Sequence, residues 1–221
     1  AMIGVIAGAR LGYAMFYNFD YYLSHQLEII LPFDFSNGIR FVGLSGMSYH
    51  GGLIGVILVT VFFCRKNGLP VWQFGDWICA AAPLGYLFGR LGNFINGELW
   101  GRATTMPWGM FFPLDSAQTL RHPSQLYEAF FEGLFLFSVL WLIRKKNPFP
   151  GFSVGLYIFG YGLVRFFIEF FREPDAHLGF VLGFNTMGQV LCVAMMLAGL
   201  GVMAWRRQAH RPAVKKRRSH G

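Results

Sequence analysis

The stretch "GRLGNFINGELWG", residues 89–101, sets Arg90, Asn93, Asn96 and Glu98 among glycines and apolar residues. If residues 84–96 form a helix, Arg90, Asn93 and Asn96 recur at i, i+3 and i+6 and share a face. A planar guanidinium flanked by side-chain amides is a receptor for phosphate, because its N–H groups fork toward two oxygens at once. Gly89, Gly92, Gly97 and Gly101 let backbone or ligand come close. The purely structural alternative has Arg90 snorkelling to a membrane interface while the glycines pack helices.

Three other stretches carry groups able to do chemistry. In "MSYHGG" (47–52), His50 enters an apolar run just before a glycine pair. An imidazole titrating near 6.5 takes a proton at neutral pH, though an interfacial histidine bonded to a carbonyl fits equally. In "RHPSQLYE" (121–128), Ser124 can cap a helix with Glu128 one turn on, and His122 and Tyr127 are pocket wall or interfacial anchor. In "YGLVRFFIEFFREPD" (161–175), Arg165 and Glu169 are i and i+4 and can pair, leaving either a structural ion pair or a cation for a phosphate ligand. By contrast, "FFEGLFLFSVLWL" (130–142) reads as lipid-facing and helix-packing surface that needs no chemistry.

The elements that must position these residues follow from composition. The 221 residues are 54% hydrophobic and only 14% charged, against about 25% charged in an average soluble domain. Apolar runs near 2–18, 46–64, 76–96, 124–143, 151–171 and 186–205 approach the length of about 20 residues needed to cross a bilayer. The expected fold is an all-α polytopic membrane protein of about six transmembrane helices. It forms one transmembrane domain over 1–205, with outer segments about 19–45 and 97–123 and a basic tail over 206–221. The first outer segment suits an amphipathic piece lying in the interface, and the second a compact cap over the membrane.

Twelve of the 19 Lys and Arg residues follow the second, fourth and sixth spans, which predicts a cytoplasmic C-terminus and places 19–45, 97–123 and 172–185 outside. An ionisable group at mid-span costs about 2.5–3.5 kcal/mol, so the polar residues above should face partners in a bundle interior. The net charge of +8 is met by the tail "RRQAHRPAVKKRRSHG" facing anionic lipid, with no nucleic acid required. Cys64, Cys79 and Cys192 lack metal-ligand or disulfide spacing and read as small apolar packing residues. No signal peptide is visible, and the immediate apolar run without an initiator Met reads as a cut or incomplete N-terminus.

"GRLGNFINGELWG" closely resembles the signature of bacterial prolipoprotein diacylglyceryl transferases. "MSYHGGLIG", "RHPSQLYE" and "YGLVRFFIEFFREPDA" resemble that family's other motifs, in its order, over about residues 4–205. The resemblance implies a multi-pass bacterial inner-membrane enzyme with seven helices in the family and its active site toward the periplasm. Such an enzyme moves the diacylglyceryl group of phosphatidylglycerol to the lipobox cysteine of a prolipoprotein, with no metal or organic cofactor. It puts functional residues at His50, Arg90, Asn93, Asn96, Glu98, Gly101, His122, Arg165 and Glu169. Our allocation gives His50 the thiol proton and Arg90 and Arg165 the phosphate, with Asn93, Glu98 and Gly101 shaping the headgroup site and Glu169 orienting Arg165. The resemblance also implies a preceding helix with a tyrosine in a Tyr-Gly context, which nothing here matches. Tyr13 and Tyr17 fall in what resembles the next helix, and 101–121 is short for the family's outer cap. The competing readings are a small membrane transporter, which predicts an internal repeat that the chain does not show, and an inactive lipid-binding family member.

Overall fold

The computed structural model describes residues 2–26, 33–34, 40–41, 46–173, 180–181 and 185–210. Helices dominate: α1 (Met2–Phe16), α2 (Phe19–Ser24), α3 (Tyr49–Lys66), α4 (Val71–Ile95), α5 (Ser124–Lys146), α6 (Phe152–Ile168) and α7 (Met187–His210). The six longer helices fall on the six expected spans. Four of them, α3, α4, α5 and α7, are long and apolar enough to cross a bilayer, whereas α1 and α6 have 15 and 17 residues. Extended structure in named strands is confined, among the described residues, to two antiparallel pairs of two-residue strands. Most of the segment 19–45 expected on the outer side, part of 172–185 and most of the basic tail lie outside the described residues.

The chain divides into two compact units, Ala1–Val71 and Trp72–Gly221. In the first, α1 packs on α3 through glycines. An added Cβ at Gly8 would lie 2.8 Å from Gly55 Cα, and one at Gly12 would lie 2.7 Å from Gly51 Cα. Backbones this close leave no room for a side chain, the device that holds helices together where lipid removes the hydrophobic driving force. Ser48 caps α3 by accepting from Gly51 N at 3.3 Å, and its own N–H donates to Ala9 O at 2.9 Å.

In the second unit, Leu136 and Leu140 of α5 and Ala80 of α4 form a buried core, flanked by Leu156, Tyr157, Tyr161 and Val164 of α6. Gly155 and Gly199 bring α6 and α7 together. The middle of α5, Ala129–Phe135, is π-helical, a widened turn that changes which side chains face the bundle. Buried Asp76 reaches from α4 to cap α6, accepting from Gly151 N at 2.8 Å and Val154 N at 3.0 Å. At that same end lie Arg144, Lys145 and Lys146 closing α5, and Arg206 of α7, which donates to Pro150 O at 3.0 Å. The polar cluster described next occupies the other end of these helices.

Candidate functional site

The α4 helix delivers the opening residues. It stops at Ile95, and Gly97 at φ 66° turns the chain back, with Gly97 N donating to Phe94 O and Glu98 N to Asn93 O. Only a residue at ease in the left-handed region ends a helix this way. The reversal brings the Glu98 carboxylate onto Asn93 Nδ2 at 2.8 Å and Asn96 Nδ2 at 3.4 Å. Arg90 donates from Nη1 to Asn93 Oδ1 at 3.3 Å. Arg90 and Asn93 therefore act together, while Asn96 lies one residue beyond the helix, exposed, and reaches the group only through Glu98.

The loop is pinned from α5. Gln125 Nε2 donates to Glu98 O at 2.7 Å and Ser124 Oγ donates to Leu99 O at 3.2 Å. The expectation that Ser124 caps its helix is therefore corrected. The residue before the helix is Pro123, with no side-chain cap, and the Ser124 hydroxyl is spent on the loop instead. Gly101 sits where three backbone segments meet: its N–H donates to His122 O at 2.9 Å, and Arg102 N–H donates to Phe171 O at 2.9 Å. A Cβ at Gly101 would collide with the Phe171 carbonyl, so this glycine is required by close approach.

The centre is Glu128, whose side chain is fully enclosed. Its Oε2 lies 2.8 Å from Arg90 Nε and 3.2 Å from Arg165 Nη1, and accepts from Tyr86 OH at 3.1 Å. Its Oε1 lies 3.2 Å from Arg172 Nη1. Arg165 also faces Glu132 at 3.7 Å and Glu169 at 3.3 Å, and Arg172 Nε is 3.8 Å from Glu169. The expected Arg165–Glu169 pair is present, embedded in a network of three arginines and three glutamates. Each guanidinium keeps 17% side-chain exposure while Glu128 and Glu132 have none. The carboxylates thus back the arginines from the buried side, and the N–H groups that remain accessible can meet an anion. In a poorly hydrated site such fixed donors stabilise charge more strongly than in water.

His122 belongs to a neighbouring group. Trp108 Nε1 donates to Tyr127 OH at 2.8 Å, and Tyr127 OH lies 3.1 Å from His122 Nδ1. An indole only donates, so the Tyr127 hydroxyl proton stays available to His122 Nδ1 when the neutral imidazole carries its proton on Nε2. Burial pushes the His122 imidazole below its ordinary range. In the cap, Asp115 holds Arg121 bidentately at 2.8 and 3.2 Å, and this holds its carboxyl down to about 2. His50 belongs to the first unit, exposed in the first turn of α3 with its ring edge-on to Tyr49 at 5.8 Å.

Tyr86, Glu128, Glu132 and Arg172 are missing from the sequence-derived set. The reading of 130–142 as a stripe without chemistry is corrected by Glu132, which faces inward from the π-helical segment. The signals were present: Glu128 and Glu132 are i and i+4 within an apolar span, Tyr86 is four residues before Arg90, and Arg165, Glu169 and Arg172 continue one helical spacing.

The fold and the cluster together define a polytopic helical membrane protein with a network of arginines backed by enclosed glutamates. The comparisons narrow this class. The family profile described as "Prolipoprotein diacylglyceryl transferase" matches residues 1–205, and the chain belongs to that family. It is 56% identical to the phosphatidylglycerol–prolipoprotein diacylglyceryl transferase of Chlorobaculum tepidum over 209 residues, covering 94% of this chain and 72% of that protein. Similar proteins of the same name come from Pseudoalteromonas translucida, 46% identical over 97% of this chain and 75% of the relative, and Azotobacter vinelandii, 48% identical over 94% and 76%.

Proposed function

We propose that this chain transfers the diacylglyceryl group of phosphatidylglycerol to the thiol of the lipobox cysteine of a prolipoprotein, releasing glycerol 1-phosphate. The observation that carries this reading is the convergence of Arg90, Arg165 and Arg172 on Glu128. As the thiol sulfur attacks the glyceryl carbon, a C–S bond forms, the C–O bond to phosphate breaks, and negative charge grows on the leaving phosphate. Arg90 and Arg165 stabilise that charge, with Glu169 orienting Arg165. Asn93, Asn96, Glu98, Gly101 and His122 shape the headgroup site, the Asn93–Glu98 pair offering both donor and acceptor to glycerol hydroxyls. A free thiol with a pKa near 8.5 is only a few per cent ionised at neutral pH, and His50 takes its proton in this reading. The nucleophile belongs to the substrate, so buried Cys64 and Cys192 serve as packing residues. The reaction so written uses no metal or organic cofactor and no nucleic acid.

The setting is the bacterial inner membrane, with the C-terminus cytoplasmic and the arginine cluster toward the periplasm. Support comes from Arg144, Lys145, Lys146 and Arg206 at the opposite end of the same helices. Mixing the purified chain with phosphatidylglycerol vesicles and a lipobox peptide tests the proposal. The peptide should gain a diacylglyceryl mass with release of glycerol phosphate, and Arg90→Ala should abolish both. A folded wild-type chain that leaves the peptide unmodified sinks it.

A further inference from the structure

Glu169 spans two environments. Its Oε2 faces Arg165 Nη2 at 3.3 Å and Arg172 Nε at 3.8 Å, while its Oε1 accepts from Thr186 Oγ1 at 3.2 Å. Thr186 immediately precedes α7 and forms a reciprocal cap with Gln189: Gln189 N donates to Thr186 Oγ1 at 3.2 Å, and Thr186 N donates to Gln189 Oε1 at 3.1 Å. The Thr-x-x-Gln spacing closes this box and fixes the hydroxyl. Thr186 and Gln189 are 5% and 3% exposed, so little freedom remains. Next to them, a Cβ at Gly188 would lie 2.5 Å from Glu169 Oε1, so the missing side chain is the space the carboxylate occupies. The first turn of α7 also presents the positive end of a 24-residue helix to that carboxylate.

We propose that Thr186 and Gly188 are positioning residues: they seat the Glu169 carboxylate and, through it, set the Arg165 guanidinium that receives phosphate and the neighbouring Arg172. This rests on the transfer reading above and adds the start of α7 to the machinery. A displacement of about 1 Å at a reacting centre can cost about a hundredfold in rate, and Gly188→Ala obliges the carboxylate to move. Alanine favours helix over glycine, so this variant should not weaken α7 itself.

The test measures transfer by Thr186→Ser, Thr186→Val and Gly188→Ala, each alone and with Glu169→Ala, alongside thermal unfolding. Thr186→Ser, which keeps the hydroxyl, should stay within about twofold of wild type. Thr186→Val and Gly188→Ala should lose about tenfold to a hundredfold in kcat/KM, yet cost under about twofold once Glu169 is alanine, because coupled residues are non-additive. Full losses persisting in the Glu169→Ala background, or wild-type turnover in Gly188→Ala, overturn the proposal. Phosphatidylglycerol retained by the purified chain, counted by native mass spectrometry, supplies a readout without turnover. If wild type retains the lipid but transfers nothing, the transfer reading fails, while the same non-additive pattern in retention still decides this one.

Discussion

Arg90 and Glu128 meet at 2.8 Å, Nε to Oε2, with the carboxylate fully enclosed and the guanidinium partly accessible. The asymmetry matters: the acid is committed to the protein, and the base retains edges for a ligand. Tyr86 joins both partners, accepting from Arg90 Nε at 2.9 Å and donating to Glu128 at 3.1 Å, which fixes the plane of the guanidinium. Removing one member of a buried, hydrogen-bonded ion network costs about 3–5 kcal/mol, because the charges left behind lose their compensation. Glu128→Ala should therefore lower the unfolding midpoint sharply in a detergent melt and abolish transfer. Glu128→Gln, which keeps an acceptor oxygen but not the charge, should fall between the two.

Lysine at position 90 tests geometry apart from charge. An ammonium is a compact point charge and cannot reach Tyr86, Asn93 and Glu128 together as the guanidinium does at 2.9, 3.3 and 2.8 Å. Arg90→Lys should stay folded but lose about tenfold or more in kcat/KM, as measured by glycerol phosphate release. Near-wild-type turnover would mean that positive charge alone suffices.

Hydropathy made the six helices legible, because a bilayer demands long apolar runs whatever the packing. The start of α4 was not legible: the expected span began at 76, whereas the helix begins at Val71. Asp76 looks like an interruption until its partners, the α6 amides of Gly151 and Val154, are in view. Glu132 carried one sequence signal, its i, i+4 spacing from Glu128, but phenylalanines dominate its surroundings and its nearest cation, Arg165, is on another helix. Within the site, Arg90 and Asn93 were recoverable from helical spacing. Glu128 was not distinguished from an ordinary residue in a helix's first turns, since only tertiary structure gathers three arginines around it.

The cap should respond to acid through Asp115. Its hydrogen bond from Arg121 holds the carboxyl at about 2, below the usual value near 3.9 in an unfolded chain. A depressed carboxylate contributes stability that is present above the unfolded value and lost as pH falls through the folded one. In a His122→Gln background, which removes the other titrating group bonded to this segment, Trp108 fluorescence and protease sensitivity of the cap should stay constant from pH 7 to about 4, then change as pH falls toward 2. Asp115→Asn should remove that acid-sensitive step.

His122 gives a second pH signature with its own cause. Burial favours its neutral form, so below about 6.5 the unfolded chain binds more protons than the folded one, and stability falls as pH drops through that range. His122→Gln should flatten this dependence. Tyr127→Phe removes the acceptor for Trp108 and the hydrogen-bond partner of His122 Nδ1, and should cost about 1 kcal/mol per lost hydrogen bond. A red shift in Trp108 emission would report the freed indole.

The first unit offers a test independent of the arginine cluster. A Cβ at Gly55 would lie 2.9 Å from Gly8 Cα, and backbone cannot yield as a flexible side chain can. Gly55→Val should therefore separate α1 from α3 and cost about 1–3 kcal/mol, the usual penalty for forcing bulk into a filled interface. Gly85, with open space around its missing side chain, is the control: Gly85→Ala should be neutral or slightly stabilising, because alanine is the better helix former. Comparing the two in a denaturant titration separates close packing from helix propensity. Equal effects would show that the glycines of α1 and α3 are not what holds those helices together.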